Sequence, residues 1–110
     1  MGFRRGDIVI ASSPGDYGKP SPCLVIQSDA FSDVPSVTVC PFTSDLRDDV
    51  PLLRQTVQPT KGNGLQQPSQ IAIDKVTTLS LTRIGKRVGK LAEVEMMQVT
   101  RALAVFLGIA

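Results

Sequence analysis

A chain of 110 residues that is 42% hydrophobic and 20% charged has the composition of one globular unit able to bury its own core. That balance excludes a disordered chain, and no apolar run approaches the roughly 18 residues that a membrane-crossing helix needs. The net charge of +2 excludes nothing by itself, but the chain has two cysteines and no histidine, which argues against zinc, haem or any other metal centre and leaves no cofactor expected. The start, Met1-Gly2-Phe3-Arg4-Arg5-Gly6-Asp7, carries charge without the apolar stretch of a secretory signal. The expectation is therefore a single domain over residues 1–110, acting in the cytoplasm with no membrane partner.

In chain order, the first predicted strand is Asp7-Ile8-Val9-Ile10-Ala11. The Gly-, Pro- and Ser-rich stretch Ser12 to Pro22 follows as an irregular loop, and it contains Tyr17, the only tyrosine. Cys23-Leu24-Val25-Ile26-Gln27 reads as a buried strand. After a polar turn, Val37-Thr38-Val39-Cys40-Pro41-Phe42 alternates and is β-branched, a strand signature. Both cysteines lie in these apolar runs and read as small buried hydrophobes.

Thr43 to Asp49 breaks away, and Leu52 to Val57 has strand composition. Pro59-Thr60-Lys61-Gly62-Asn63-Gly64 is a turn, because Gly and Asn tolerate positive φ. Pro68 to Thr77 reads as one long strand of period two, with Ile71, Ile73 and Lys75 on one face and Ala72, Asp74 and Val76 on the other. A short strand follows around Lys86 to Leu91. The period then changes: Met96, Val99, Leu103 and Phe106 recur at helical spacing, which predicts an amphipathic helix over Glu93 to Leu107, closed by Gly108. Short strands separated by turns, then one helix, predict a mainly β fold: a small antiparallel barrel with a C-terminal helix over one face or end.

Charge is unevenly spread. Between Asp74 and Glu93 there is no acidic residue, while Lys75, Arg83, Lys86, Arg87 and Lys90 fall in that interval. Such a block suits an anionic partner such as RNA or an acidic peptide; it is equally the composition of a solvated basic face.

Several segments, in order and at fitting spacing, resemble the MazF/PemK family of toxins. They are Arg5-Gly6-Asp7-Ile8-Val9; Gly15-Asp16-Tyr17-Gly18-Lys19-Pro20-Ser21-Pro22-Cys23-Leu24-Val25-Ile26-Gln27-Ser28-Asp29; Val39-Cys40-Pro41-Phe42-Thr43-Ser44; Asn63-Gly64-Leu65 through Pro68-Ser69-Gln70-Ile71 to Asp74-Lys75-Val76-Thr77-Thr78-Leu79; and Arg83-Ile84-Gly85 onward to Gly89-Lys90-Leu91. Each segment is weak alone; together they span nearly the whole chain. The resemblance implies an SH3-like barrel, a homodimer, metal-independent cutting of single-stranded RNA, and a cognate antitoxin whose acidic disordered tail folds into the toxin's groove. A gyrase poison, CcdB, shares that fold, so a topoisomerase target is a competing implication.

Cutting RNA without a metal uses its own 2′-hydroxyl to attack the adjacent phosphorus, and the protein must then neutralise charge on the pentavalent centre. Arginine suits that task through its planar fork of donors. The family carries an arginine before the proline that opens the second strand; here that position is Ser21. Three accounts follow: an inactivating substitution, a binder of antitoxin and RNA that has lost catalysis, or Lys19 reaching into the same space.

By the resemblance, Thr43 supplies the catalytic hydroxyl at the end of the third strand; read locally, Thr43 or Ser44 caps a turn beginning at Asp45. Asp74 is the candidate acid–base group in a chain without histidine, with Lys75 beside it on the opposite face of the strand. Ser69 and Gln70 are candidates to hydrogen-bond bases or phosphate. Tyr17 is a candidate to stack on a base. The expected site is thus Ser21, Thr43 and Asp74 for catalysis, and Tyr17, Lys19, Ser44, Ser69, Gln70 and Lys75 for holding RNA.

Overall fold

The structure is a computed structural model and describes residues 2–12 and 19–109. It contains seven strands: β1 (Asp7–Ala11), β2 (Ser21–Val25), β3 (Ser36–Thr43), β4 (Arg54–Val57), β5 (Ser69–Ala72), β6 (Thr77–Ser80) and β7 (Ile84–Lys90). One helix, α1 (Glu93–Phe106), follows them. The strands hydrogen-bond in the order β4-β5-β3-β2-β1-β7, with β6 also on β3, and every pairing is antiparallel.

The apolar runs in β1 to β3 alternate between two cores. Ile8, Leu24, Ile26, Cys40, Phe42, Ile71 and Leu91 form one cluster with Val99 and Leu103 of α1. Val9, Ala11, Cys23, Val25, Val37, Val39 and Leu79 form the other, on the opposite side of the sheet. Both faces of the central strands are thus buried, which is why β2 reads as a continuous apolar run rather than an alternating one. The cysteines are free and divided between the two cores, and burial pushes the thiol pKa up to about 11 for Cys23 and about 12 for Cys40.

The sheet expected to close into a barrel stays open between β4 and β7 among the described residues. The turn after β4 fills that gap. Lys90 of β7 donates its backbone N–H to Gly62 O at 2.8 Å. Asn63, 2% exposed, holds the turn rigid: its Oδ1 accepts from the backbone N–H groups of Thr60 and Leu65, and its Nδ2 donates to Gln58 O. Gly64, at φ +70°, and Gly89 let the two backbones touch. A Cβ on Gly89 would lie 2.3 Å from Asn63 C and O. Gly89→Ala is therefore expected to cost about 1–3 kcal/mol or more, as overpacking against immovable backbone does. Gly62→Ala, whose Cβ would meet only Thr60 Oγ1 at 3.8 Å, is the control. Equal urea midpoints for the two variants would contradict this packing.

The single long strand expected over Pro68 to Thr77 is broken. Continuing the Phe42–Ile71 register would set Asp74 opposite Val39, yet Thr77 stands there, three residues later. The inserted residues form a 3₁₀ turn, Ile73–Lys75. Ile71, Ala72 and Ile73 are all buried, and the turn carries Asp74 to a partner on β4. Burial of three consecutive side chains and an ion pair outweigh the period-two pattern.

The helix starts where expected and ends in a Schellman-type cap, with Gly108 N–H on Val105 O and Ile109 N–H on Ala104 O. Its apolar stripe is only partly covered: Val99 and Leu103 are buried, whereas Phe106 and Leu107 are 44% and 57% exposed. Its buried contacts come from the middle turns, at Val99 and Leu103, and the last turn is left exposed.

Candidate functional site

The antiparallel β1–β2–β3 order brings the start of β2 and the end of β3 to the same end of the sheet. There, together with the loop before β5 and the middle of β7, they enclose a cleft of about 520 Å³. Ile10, Pro22, Phe42, Leu65 and Val88 give it apolar walls, and Ser21, Thr43, Ser44, Gln66, Gln67 and Ser69 give it hydroxyls and amides. Among the described residues its charged lining is Lys19 and Lys86. The cleft is therefore an apolar trough with hydrogen-bonding groups and positive charge, which suits bases stacked against apolar walls beside their phosphates.

Ser21 and Thr43 meet in this cleft, as do Lys19, Ser44 and Ser69. Thr43 Oγ1 accepts the backbone N–H of Asp45 at 3.1 Å. The turn-capping bond and the cleft position thus coexist: one lone pair is tied to the turn, which orients the hydroxyl and leaves its proton to donate. Ser69 lines the cleft with its hydroxyl already donated to Gln67 O at 3.0 Å, so it shapes the wall more than it offers a donor.

Gln70 does not line this cleft. It is 4% exposed, its Oε1 accepts from Arg47 N (2.9 Å), and its Nε2 donates to Arg47 O (2.7 Å) and Thr56 Oγ1 (3.1 Å). It pins the segment after Thr43, at Arg47, to Thr56 of β4. The expectation that Gln70 hydrogen-bonds bases or phosphate does not fit this burial, which extends over all of Ser69–Ala72.

Asp74 and Lys75 also lie outside the cleft. Asp74 hydrogen-bonds Nη1 of Arg54, whose side chain is only 8% exposed and which also donates to Leu53 O at 2.9 Å. Burial pushes the Asp74 carboxyl up, and the Arg54 hydrogen bond and charge, with the turn's own N–H and Lys75, more than reverse this, so its pKa lies below the ordinary 3.8. A carboxylate held ionised by a buried arginine is a weak proton acceptor, so the acid–base role expected of Asp74 does not fit its surroundings. Lys75 faces a second depression of about 310 Å³, together with Asp45, Arg47 and Arg54. Thr43 lines both hollows. Tyr17 falls outside the described residues.

Sequence reasoning passed over Gln66, Gln67 and Arg54, and named Lys86 only as part of a basic block. The two glutamines sit inside the resembling segment that starts at Asn63-Gly64-Leu65, where two adjacent amide side chains were the available signal. The basic block is divided by the fold: Lys86 enters the cleft, Lys75 the second depression, and Arg87 donates Nε–H to Asp7 Oδ1 at 2.9 Å. Among the described residues no three His, Cys, Asp or Glu side chains cluster as metal ligands, and no helix is long and apolar enough to cross a membrane.

The profile of the PemK-like, MazF-like toxins of type II toxin–antitoxin systems matches residues 4–107. A probable endoribonuclease MazF of Mycolicibacterium smegmatis is 52% identical over 109 residues, which cover 98% of this chain and 99% of that protein. Among solved structures, the Mycobacterium tuberculosis toxin MazF-mt6 superposes with a TM-score of 0.80 at 23% identity, covering 94% of this chain and 98% of that one. An endoribonuclease in complex with its cognate antitoxin, from a mycobacterial species, superposes with a TM-score of 0.81 at 20% identity, covering 98% and 97%. At those identities the superpositions establish the fold.

Proposed function

The chain belongs to the PemK-like, MazF-like toxins of type II toxin–antitoxin systems, and from that premise we propose that residues 1–110 act as one cytoplasmic toxin domain that cuts single-stranded RNA in the cleft between the start of β2 and the end of β3. The observation that carries this reading is the convergence of Ser21, Thr43, Ser44 and Lys19 on one apolar-walled, positively charged trough. RNA bases would lie against Phe42, Leu65 and Val88, with Gln66 and Gln67 within reach of their edges. In the reaction the 2′-oxygen bonds to phosphorus as the P–O5′ bond breaks. One proton leaves the 2′-hydroxyl and one reaches the 5′-oxygen, giving a 2′,3′-cyclic phosphate and a 5′-hydroxyl. Thr43 donates a hydrogen bond to the phosphoryl oxygens as charge builds there.

The test is cleavage of a short all-ribose RNA in the presence of a chelator. Products ending in 2′,3′-cyclic phosphate are expected, with no cutting where the scissile ribose is replaced by deoxyribose. Unchanged cutting of the deoxy substrate, or loss of cutting on chelation, would refute this chemistry. Ser21 favours one second reading, a module that holds RNA or antitoxin without cutting; binding of the oligonucleotide with no products would support it.

Two partners belong to the proposal. A second copy of the chain is expected to cover the exposed apolar side chains at the end of α1, where Val105, Phe106, Leu107 and Ile109 are all 44% exposed or more. A cognate antitoxin with an acidic, disordered tail fits the same lysine-rimmed trough as RNA, apolar residues inward and carboxylates toward Lys19 and Lys86.

A further inference from the structure

We propose that Lys86 supplies the positive charge at the scissile phosphate that Ser21 cannot. The inference rests on the cleft being the RNA-cutting site. Lys86 comes from the far side of that cleft, two strands away from Ser21, and its position follows from an irregularity in pairing. Val9 pairs with Arg87 and Ala11 with Ile84, so β7 carries one residue more than β1 across this stretch, and Ile10 faces both Gly85 and Lys86. Such a bulge re-aims a side chain out of the regular alternation.

On its other side, Ile10 pairs with Pro22, the neighbour of Ser21. Lys86, Ile10 and Pro22 therefore stand side by side across three strands spaced about 4.8 Å apart. Ser21, next to Pro22 in the strand, lines the same cleft as Lys86 and Ile10, so both Lys86 and Ser21 border a phosphate held there. Among the described residues Lys86 has no ion pair or side-chain hydrogen bond, whereas its neighbour Arg87 is held by Asp7, itself 5% exposed. No carboxylate is among the described residues lining the cleft to neutralise Lys86. A lysine ammonium is a point charge on a flexible stem, so it gives charge without the bidentate geometry of arginine.

The experiment is a cycle of wild type, Lys86→Ala, Lys86→Arg, Ser21→Arg and the Ser21→Arg/Lys86→Ala double variant, with Lys61→Ala as an exposed-lysine control. Two quantities are read for each: the rate of cutting an all-ribose oligonucleotide, and the salt dependence of binding the same oligonucleotide with a deoxyribose at the scissile position. Lys86→Ala is expected to slow cutting about 10²-fold and to lower the slope of log affinity against log salt by about 0.7, the value for one phosphate contact on a single strand. Lys86→Arg retains most of the rate and Lys61→Ala changes neither quantity. In the Ser21→Arg background, removing Lys86 costs less than it does in the wild type, because both cations serve one phosphate. An unchanged salt slope for Lys86→Ala overturns the proposal. If no variant cuts RNA but the slope falls, the cutting reading fails and Lys86 stands as a phosphate ligand; if the chain cuts and Lys86→Ala cuts equally fast, the lysine assignment fails and the cutting reading stands.

Discussion

Replacing Ser21 by arginine is expected to raise the rate of RNA cleavage by about 10²- to 10³-fold, the range associated with one donor aimed at a developing oxyanion. Ser21 lies in the cleft that also holds Thr43, so an arginine there would meet the same phosphate. Its guanidinium would add a permanent charge and two parallel N–H donors where the serine offers one neutral hydroxyl. Lys86 and Lys19 already bring charge to this cleft, which sets the expected gain toward the lower end of the range. The gain should appear in kcat more than in KM, because the added donors meet a charge that is greatest in the transition state. A folded Ser21→Arg protein, with an unchanged denaturation midpoint, that cuts no faster would show that residue 21 does not face the reacting phosphate.

Removing the Asp74 carboxylate is expected to destabilise the fold by about 3 kcal/mol. That is the lower end of what is lost when one partner of a buried ion pair is deleted, because Asp74 is itself 28% exposed while Arg54 is 8% exposed. The larger part of the loss comes from the Arg54 guanidinium, which would remain buried without a counter-charge. Asp74→Asn keeps an acceptor for Arg54 and should recover part of the loss. An Arg54→Met/Asp74→Leu double variant should be less destabilised than the two single changes predict together; strict additivity in urea denaturation would rule out the coupling.

The same pair sets a pH dependence. The folded pKa of Asp74 lies below its ordinary 3.8, so its contribution is fully present above that value and is lost as the pH falls through the lower, folded pKa. Acid denaturation of the wild type should therefore steepen below about pH 4, and Asp74→Asn should flatten that limb. The asparagine variant also separates two roles: with Asp74 acting as a strut rather than a proton acceptor, Asp74→Asn should cut RNA at close to the wild-type rate wherever it is folded.

What the sequence determined by itself was local and periodic. The apolar runs at Ile8–Ala11 and Cys23–Val25 and the alternation of Val37–Phe42 marked β1, β2 and β3, because the demand for burial is written into which residue types recur. The change to helical spacing at Met96, and Gly108 after it, marked α1 and its end, since cap and stripe are properties of neighbouring residues. Ser21 and Thr43 were readable as a pair through resemblance, and antiparallel pairing of their strands makes them neighbours.

Only the tertiary structure decided the rest, because it depends on contacts between residues far apart in the chain. Gln70 turned inward to hold Arg47, 23 positions away, and Asp74 left the strand pattern to reach Arg54, 20 positions away; no local period encodes either bond. Lys86 and Arg87 are adjacent and alike in sequence, yet Asp7, 80 positions before Arg87, ties one while a bulge against β1 turns the other into the cleft. Side-chain chemistry and spacing specify which segments want to be buried and in what form; which polar groups remain free to meet a ligand is settled only when distant backbones pair and take up the rest.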